Sequence, residues 1–130
     1  MLKNALVALG ALLTVSACGE PTLEVNVPLA VVNLSPHDGA VGIDPLAKPV
    51  VCFNRDMDPA LVAGFVALED EAGAVVGEAA SASTNPRCLV VEHSGLEADS
   101  GYRVRLSQGL RAADGSELAV EIVSRFRTAR

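Results

Sequence analysis

The chain has 130 residues, half of them hydrophobic, but only three Phe, one Tyr and no Trp. That is room for one domain of ordinary size whose core Val, Leu and Ala must build, which suits a thin sandwich better than a ligand-enclosing barrel. With sixteen acidic residues against ten basic, the chain is a poor general binder of nucleic acid, and no such partner is expected.

Residues 1–17 read as a targeting segment rather than as structure. Met1-Leu2-Lys3-Asn4 is a short positive start, Ala5 to Leu13 is apolar, and Val15-Ser16-Ala17-Cys18 closes the run with small residues before a cysteine. The run is well short of the ~20 residues that span a bilayer as a helix. The pattern resembles the bacterial lipobox, with Val15 where Leu is usual. The resemblance implies cleavage before Cys18 and acylation of its thiol and amine, palmitate included, and several acyl chains on one residue hold a protein stably on a membrane. Gly19 is not the Asp that marks inner-membrane retention in some bacteria, so an outer-membrane location is expected, periplasmic or surface-exposed. Cleavage removes only Lys3 among the charges, leaving nine basic residues against sixteen acidic, a net charge near −7. Residues 18–30 are then the lipidated cysteine and an extended tether, and 31–130 the folded domain.

The domain opens with a strand at Val31-Val32-Asn33-Leu34, stopped by Ser35-Pro36 and the turn residues His37-Asp38-Gly39. Pro49 leads into the strand Val50-Val51-Cys52-Phe53, in which Val51 and Phe53 share one face while Cys52 and Asn54 share the other. Asp58 is an N-cap with Pro59 at the first helical position, so one short helical turn is predicted there. Phe65 to Glu69 is a strand with Val66 and Leu68 inward. Ala74 to Ala79 is a weak edge strand, and Ser81 to Pro86 a loop. Cys88 to Glu92 places Leu89 and Val91 inward. Tyr102 to Leu106 is apolar inward and basic outward. Val120 to Thr128 closes the chain with Val120, Ile122 and Phe126 inward and Glu121, Arg125 and Arg127 outward. About seven strands with a turn every 8–12 residues argue an all-β sandwich.

Several of these segments together carry a family likeness. Ser35-Pro36-His37-Asp38-Gly39-Ala40, then Val51-Cys52-Phe53-Asn54, then Met57-Asp58-Pro59 resemble the bacterial Ig-like domains of surface-layer and other cell-envelope proteins. Leu96 to Tyr102, Ala113-Asp114-Gly115 and Phe126-Arg127-Thr128 fit the same pattern, so that the likeness runs over roughly residues 31–128. It implies a Greek-key, Ig-like β-sandwich. It brings no shared catalytic residues. A Tyr at position 102 is then expected to fold over the core and bond nearby backbone through its hydroxyl.

In Ig topology the strands carrying Cys52 and Cys88 are neighbours in one sheet. A cross-strand disulfide on the outer face is therefore expected, closing a loop of about 37 residues and adding roughly 3 kcal/mol; two free thiols are the alternative. With Cys18 lipidated, these two form an even pair in an oxidising compartment. No metal or cofactor is expected, because neither His37 nor His93 has the spacing that completes a ligand set. The acidic turns at Asp38, Asp44, Asp56, Asp58, Asp70 and Asp114 lack the alternating run of a calcium loop, and turn-forming duty is the expectation. Arg103, Arg105, Arg125 and Arg127 point outward from two strands expected to pair, which sets four guanidinium groups on one face. Either Glu69 and Glu121 neutralise that face, or it docks an anionic partner through the planar guanidinium fork. No nucleophile elbow, His–Ser pairing or phosphate loop is present, and an enzyme is not expected. The expected role is a membrane-anchored structural or interaction module that meets an envelope protein or an anionic glycan. A carbohydrate- or calcium-binding module using the end loops is the other reading.

Overall fold

Alternation decides the inner layer strand by strand, as the period of an extended chain requires. In the computed structural model, which describes residues 27–130, Val51 and Phe53 of β3 (Val50–Phe53) are buried and Cys52 between them is not. The same alternation buries Val66 and Leu68 in β4 (Val66–Asp70), Leu89 and Val91 in β7 (Cys88–Glu92), and Tyr102, Val104 and Leu106 in β8 (Gly101–Leu106). These side chains meet in one core, and each large aliphatic one fully buried contributes about 1.5–3 kcal/mol. The targeting segment, Cys18 and the first part of the tether lie outside the described residues.

Among the described residues, nine strands form two sheets. The four-stranded sheet runs β1 (Val31–Ser35), β3, β7, β6 (Ala79–Ala82); the five-stranded sheet runs β2 (Ala40–Ile43), β9 (Ile122–Thr128), β8, β4, β5 (Val75–Gly77). Every pairing is antiparallel except β2 with β9. The helical turn is a 3-10 turn at Pro59–Leu61, with the Asp58 carboxylate accepting the Ala60 N–H at 3.0 Å.

The structure adds two strands to the expected seven and moves several boundaries. Ala40–Ile43, to which the sequence reading gave no strand, pairs with β9 as β2. It escapes pattern reading because Val41 is exposed, Gly42 sits at φ 69°, and the pairing is interrupted by a register shift. The weak segment after Ala74 is two strands. β5 ends on one sheet at Gly77, Glu78 crosses over, and β6 continues on the other sheet through Ser81 and Ala82, which had read as loop. Gly77 is demanded by this crossing, since a Cβ there would run into the Glu92 carbonyl oxygen. Val120 does not face inward; it is exposed in the bend before β9, and Ser124 occupies the inward position between Ile122 and Phe126.

The packed domain also begins earlier than Val31. Leu29, placed in the tether by sequence, is buried and pairs with Leu118. The loop from Ser107 to Glu121 contributes Leu110, Ala112 and Leu118 to the same end of the core. The chain thus enters at the end formed by this loop and the segments after β3 and before β7, while β8 begins at the opposite end.

Candidate functional site

The outer faces of the two sheets differ in chemistry. On the four-stranded sheet, Cys52 and Cys88 stand directly opposite each other on β3 and β7, and a disulfide joins them, with Cα atoms 4.0 Å apart. The Phe53 N–H donates to the Arg87 carbonyl just beyond them. That makes the cysteines a non-hydrogen-bonded pair, the register in which facing side chains lie closest.

On the five-stranded sheet, β8 and β9 pair as expected and bring Arg103 directly opposite Arg125. The like charges are compensated from both sides. Glu69 on β4 is nearly buried. It accepts from Arg103 Nε at 2.7 Å and from Arg105 through Nη2 at 3.1 Å and Nε at 3.2 Å. Arg105 Nη1 also donates to Glu121 at 2.7 Å. The Arg105 and then the Arg103 hydrogen bonds hold the Glu69 carboxyl below its ordinary value, against the opposing effect of burial. Glu69, followed by Glu121, raises the pKa of Arg105 in turn. Arg127 reaches partners that sequence reading missed: it donates to the Asp99 carboxylate at 3.2 Å and the Asp99 carbonyl at 2.9 Å, and pairs with Glu71 at 3.7 Å. Both acids lie in loops at the far end of the sheet, where strand parity gives no signal.

Arg125 differs from its three neighbours. It is exposed, and no carboxylate lies within 4.0 Å of its side-chain nitrogens among the described residues. Asp38 accepts from its backbone N–H at 2.8 Å. Beside it, Gly101 carries no side chain, and a depression of about 150 Å³ opens there between Glu71, Arg103 and Arg125.

Other expected residues have local tasks. Asp44, Asp70 and Asp114 each accept backbone N–H groups of their own turns, and Asp56 pairs with Arg87 at 3.6 Å. Hydrogen bonding to Ser116, and then the charge of Arg55, lowers the pKa of Asp114. His93 Nδ1 accepts from the Gly95 N–H and Nε2 faces the Ala47 carbonyl at 2.7 Å, which fixes the proton on Nε2. His37 lies in the turn before β2. Among the described residues no three His, Cys, Asp or Glu side chains converge as metal ligands. Tyr102 folds over the core, stacked on Phe126, and its hydroxyl accepts the Glu97 N–H at 2.9 Å, so the expected tyrosine corner is present.

At the chain's entry, the Asn54 side chain accepts the Ala30 N–H at 2.9 Å and donates to the Pro28 carbonyl at 3.1 Å. Arg55 donates to the Val27 carbonyl and pairs with Asp114 at 3.2 Å. Together with buried Leu29, this clamp ties residues 27–30 to one end of the sandwich.

Two sheets with a tyrosine corner, the first two strands lying in opposite layers, define an Ig-like sandwich. The chain belongs to the bacterial Ig-like domain family, whose sequence profile matches residues 25–128. Comparison with curated proteins finds no match. Among solved structures, CopC from Methylosinus trichosporium OB3b is similar over 78% of this chain and 93% of its own, at 22% identity and a TM-score of 0.60. Native alpha-2-macroglobulin from Escherichia coli matches at 21% identity and a TM-score of 0.60, over 78% of this chain and 32% of that one. The N-terminal part of the bacterial S-layer protein SbsC matches at 17% and 0.58, over 79% and 24%. At these identities the likeness is one of fold.

Proposed function

We propose that this protein is a lipid-anchored module of the cell envelope, without catalytic function, whose rigid sandwich presents a recognition surface to another envelope component. The observation that carries this reading is the clamp at the chain's entry. The stretch from Cys18 to Val27 reaches at most about 32 Å in any conformation. An acylated Cys18 would therefore keep the clamped end of the domain within that distance of the bilayer, with Asp99, Gly101 and Glu71 at the end opposite the tether. The Cys52–Cys88 disulfide supports an oxidising, extracytoplasmic compartment, and the bacterial Ig-like family together with the likeness in fold to an S-layer protein supports the envelope. The near-neutral but ion-rich face of β8 and β9 supports recognition over passive scaffolding, because Arg125 remains without an ionic partner among the described residues.

The test is metabolic labelling with palmitate and membrane flotation of the full chain beside Cys18→Ala. The expected result is label and flotation for the parent and neither for the variant. Flotation that survives Cys18→Ala, or a parent that takes up no label, overturns the anchor.

A further inference from the structure

We propose that the notch beside Gly101 is a receptor for a carboxylate side chain of an acidic segment in a partner protein, and that Glu71, which walls the notch in the free domain, competes for it. This rests on the recognition role given above but not on the anchor.

Glu71 comes from the turn after β4, and its carboxylate lies in the space that a Cβ of Gly101 would fill. Its hold there is weak. The side chain is 74% exposed, and its one ion pair among the described residues is the 3.7 Å approach to Arg127. An exposed pair at such a distance contributes little, so a competing carboxylate can displace it. One guanidinium group is poised to receive the competitor. Arg125 lines the notch and is free of any carboxylate within 4.0 Å among the described residues, while Arg127, two residues along the same strand and opposite Gly101, is held by Asp99 and adds positive charge nearby. Arg103, opposite Arg125, keeps its Nε on Glu69 and adds positive potential at the rim. A guanidinium fork bonds a carboxylate through two parallel N–H donors, which a neutral amide cannot reproduce.

Size chooses the class of ligand. The notch, about 150 Å³, is below the ~300 Å³ at which small-molecule sites begin, and it admits one side chain. The adjoining depression of about 350 Å³ is lined by Asp70, Glu71 and Glu97. An acidic sugar ring extending into it would meet like charge, so a protein side chain is the better fit.

The experiment is an NMR titration of the full chain in detergent micelles with acetyl-Gly-Glu-Gly-amide, the matching Gln peptide and glucuronate. It follows the Gly101 amide and the Arg125 side-chain Nε–H. The Glu peptide is expected to shift both signals and the Gln peptide neither. Glu71→Gln should tighten Kd by about threefold by removing the internal competitor, and Arg125→Ser should weaken it by roughly tenfold. Equal response to the Gln peptide, or a Kd unchanged in both variants, overturns the receptor. Tighter binding of glucuronate than of the Glu peptide overturns the choice of a protein partner. The titration does not depend on Cys18, so a failed flotation test leaves its outcome intact.

Discussion

The two outer faces join their strands in opposite ways. The four-stranded face has a covalent tie between β3 and β7, whereas the five-stranded face has a lattice of Arg103, Glu69, Arg105 and Glu121 across β4, β8 and the approach to β9. A disulfide acts mainly by restricting the unfolded chain, has no charge to titrate, and offers nothing for a partner to exchange. An ionic lattice weakens with acid and salt, and its outlying members can trade one carboxylate for another. The second face is thus the one to which we assign the proposed recognition.

Breaking the covalent side has the largest expected effect. Cys52→Ser with Cys88→Ser should lower stability by about 3–4 kcal/mol, read as a fall in the urea midpoint with a steeper denaturant slope from a more expanded unfolded chain. A shift of the same size on reduction of the parent separates the bond from the substitution. Next comes the crossing that joins the sheets. Gly77→Ala should cost about 1–3 kcal/mol, because the new methyl meets backbone oxygen that cannot move aside.

The ionic side is expected to show a smaller, pH-dependent effect. Glu69→Gln should lower the melting temperature by several degrees at pH 7. Glu69, Glu92 and Asp114 all have folded pKa values below their ordinary ones, Glu69 through Arg105 and Arg103, Glu92 through Lys48 and Ser81, Asp114 through Ser116. The folded state therefore binds fewer protons than the unfolded chain in this range. Their stabilisation is full above the ordinary carboxylate value of about 4.5 and is lost as pH falls through the lower folded values. Melting curves from pH 7 down to pH 3 should show the gap between the parent and Glu69→Gln closing below that point. The smallest effect is expected at Ser124, whose buried hydroxyl has no hydrogen-bond partner among the described residues. Ser124→Ala should leave stability unchanged or raise it by up to about 1 kcal/mol, measured by the same melting.

Much of the scaffold is legible in residue parity. The inward sets of β3, β4, β7 and β8 follow from which residues share a face, and the Asp58 cap from an Asp placed just before Pro59. The pairing of Cys52 with Cys88 and the neutralising roles of Glu69 and Glu121 need, besides parity, the strand neighbours that the Ig-like resemblance implies. What parity misses lies where no alternation operates. Ala40–Ile43 is too short and too interrupted to read as a strand, and the change of sheet at Glu78 leaves no mark in an Ala- and Gly-rich stretch. Glu71 and Asp99 reach Arg127 from loops, so nothing on the strands announces them. Asn54 could be assigned to the outer face at once, but its hold on Pro28 and Ala30 depends on where the incoming chain turns, which spacing does not encode.

The most direct test of the contrast between the faces is site-specific photocrosslinking in intact cells. A photoreactive residue replaces Val90, on the outer side of β7, or Val123, on the outer side of β9. The account predicts a discrete crosslinked product from position 123 that disappears with Arg125→Ser, and none from position 90. A product from position 90, or one from position 123 that persists without Arg125, would contradict it.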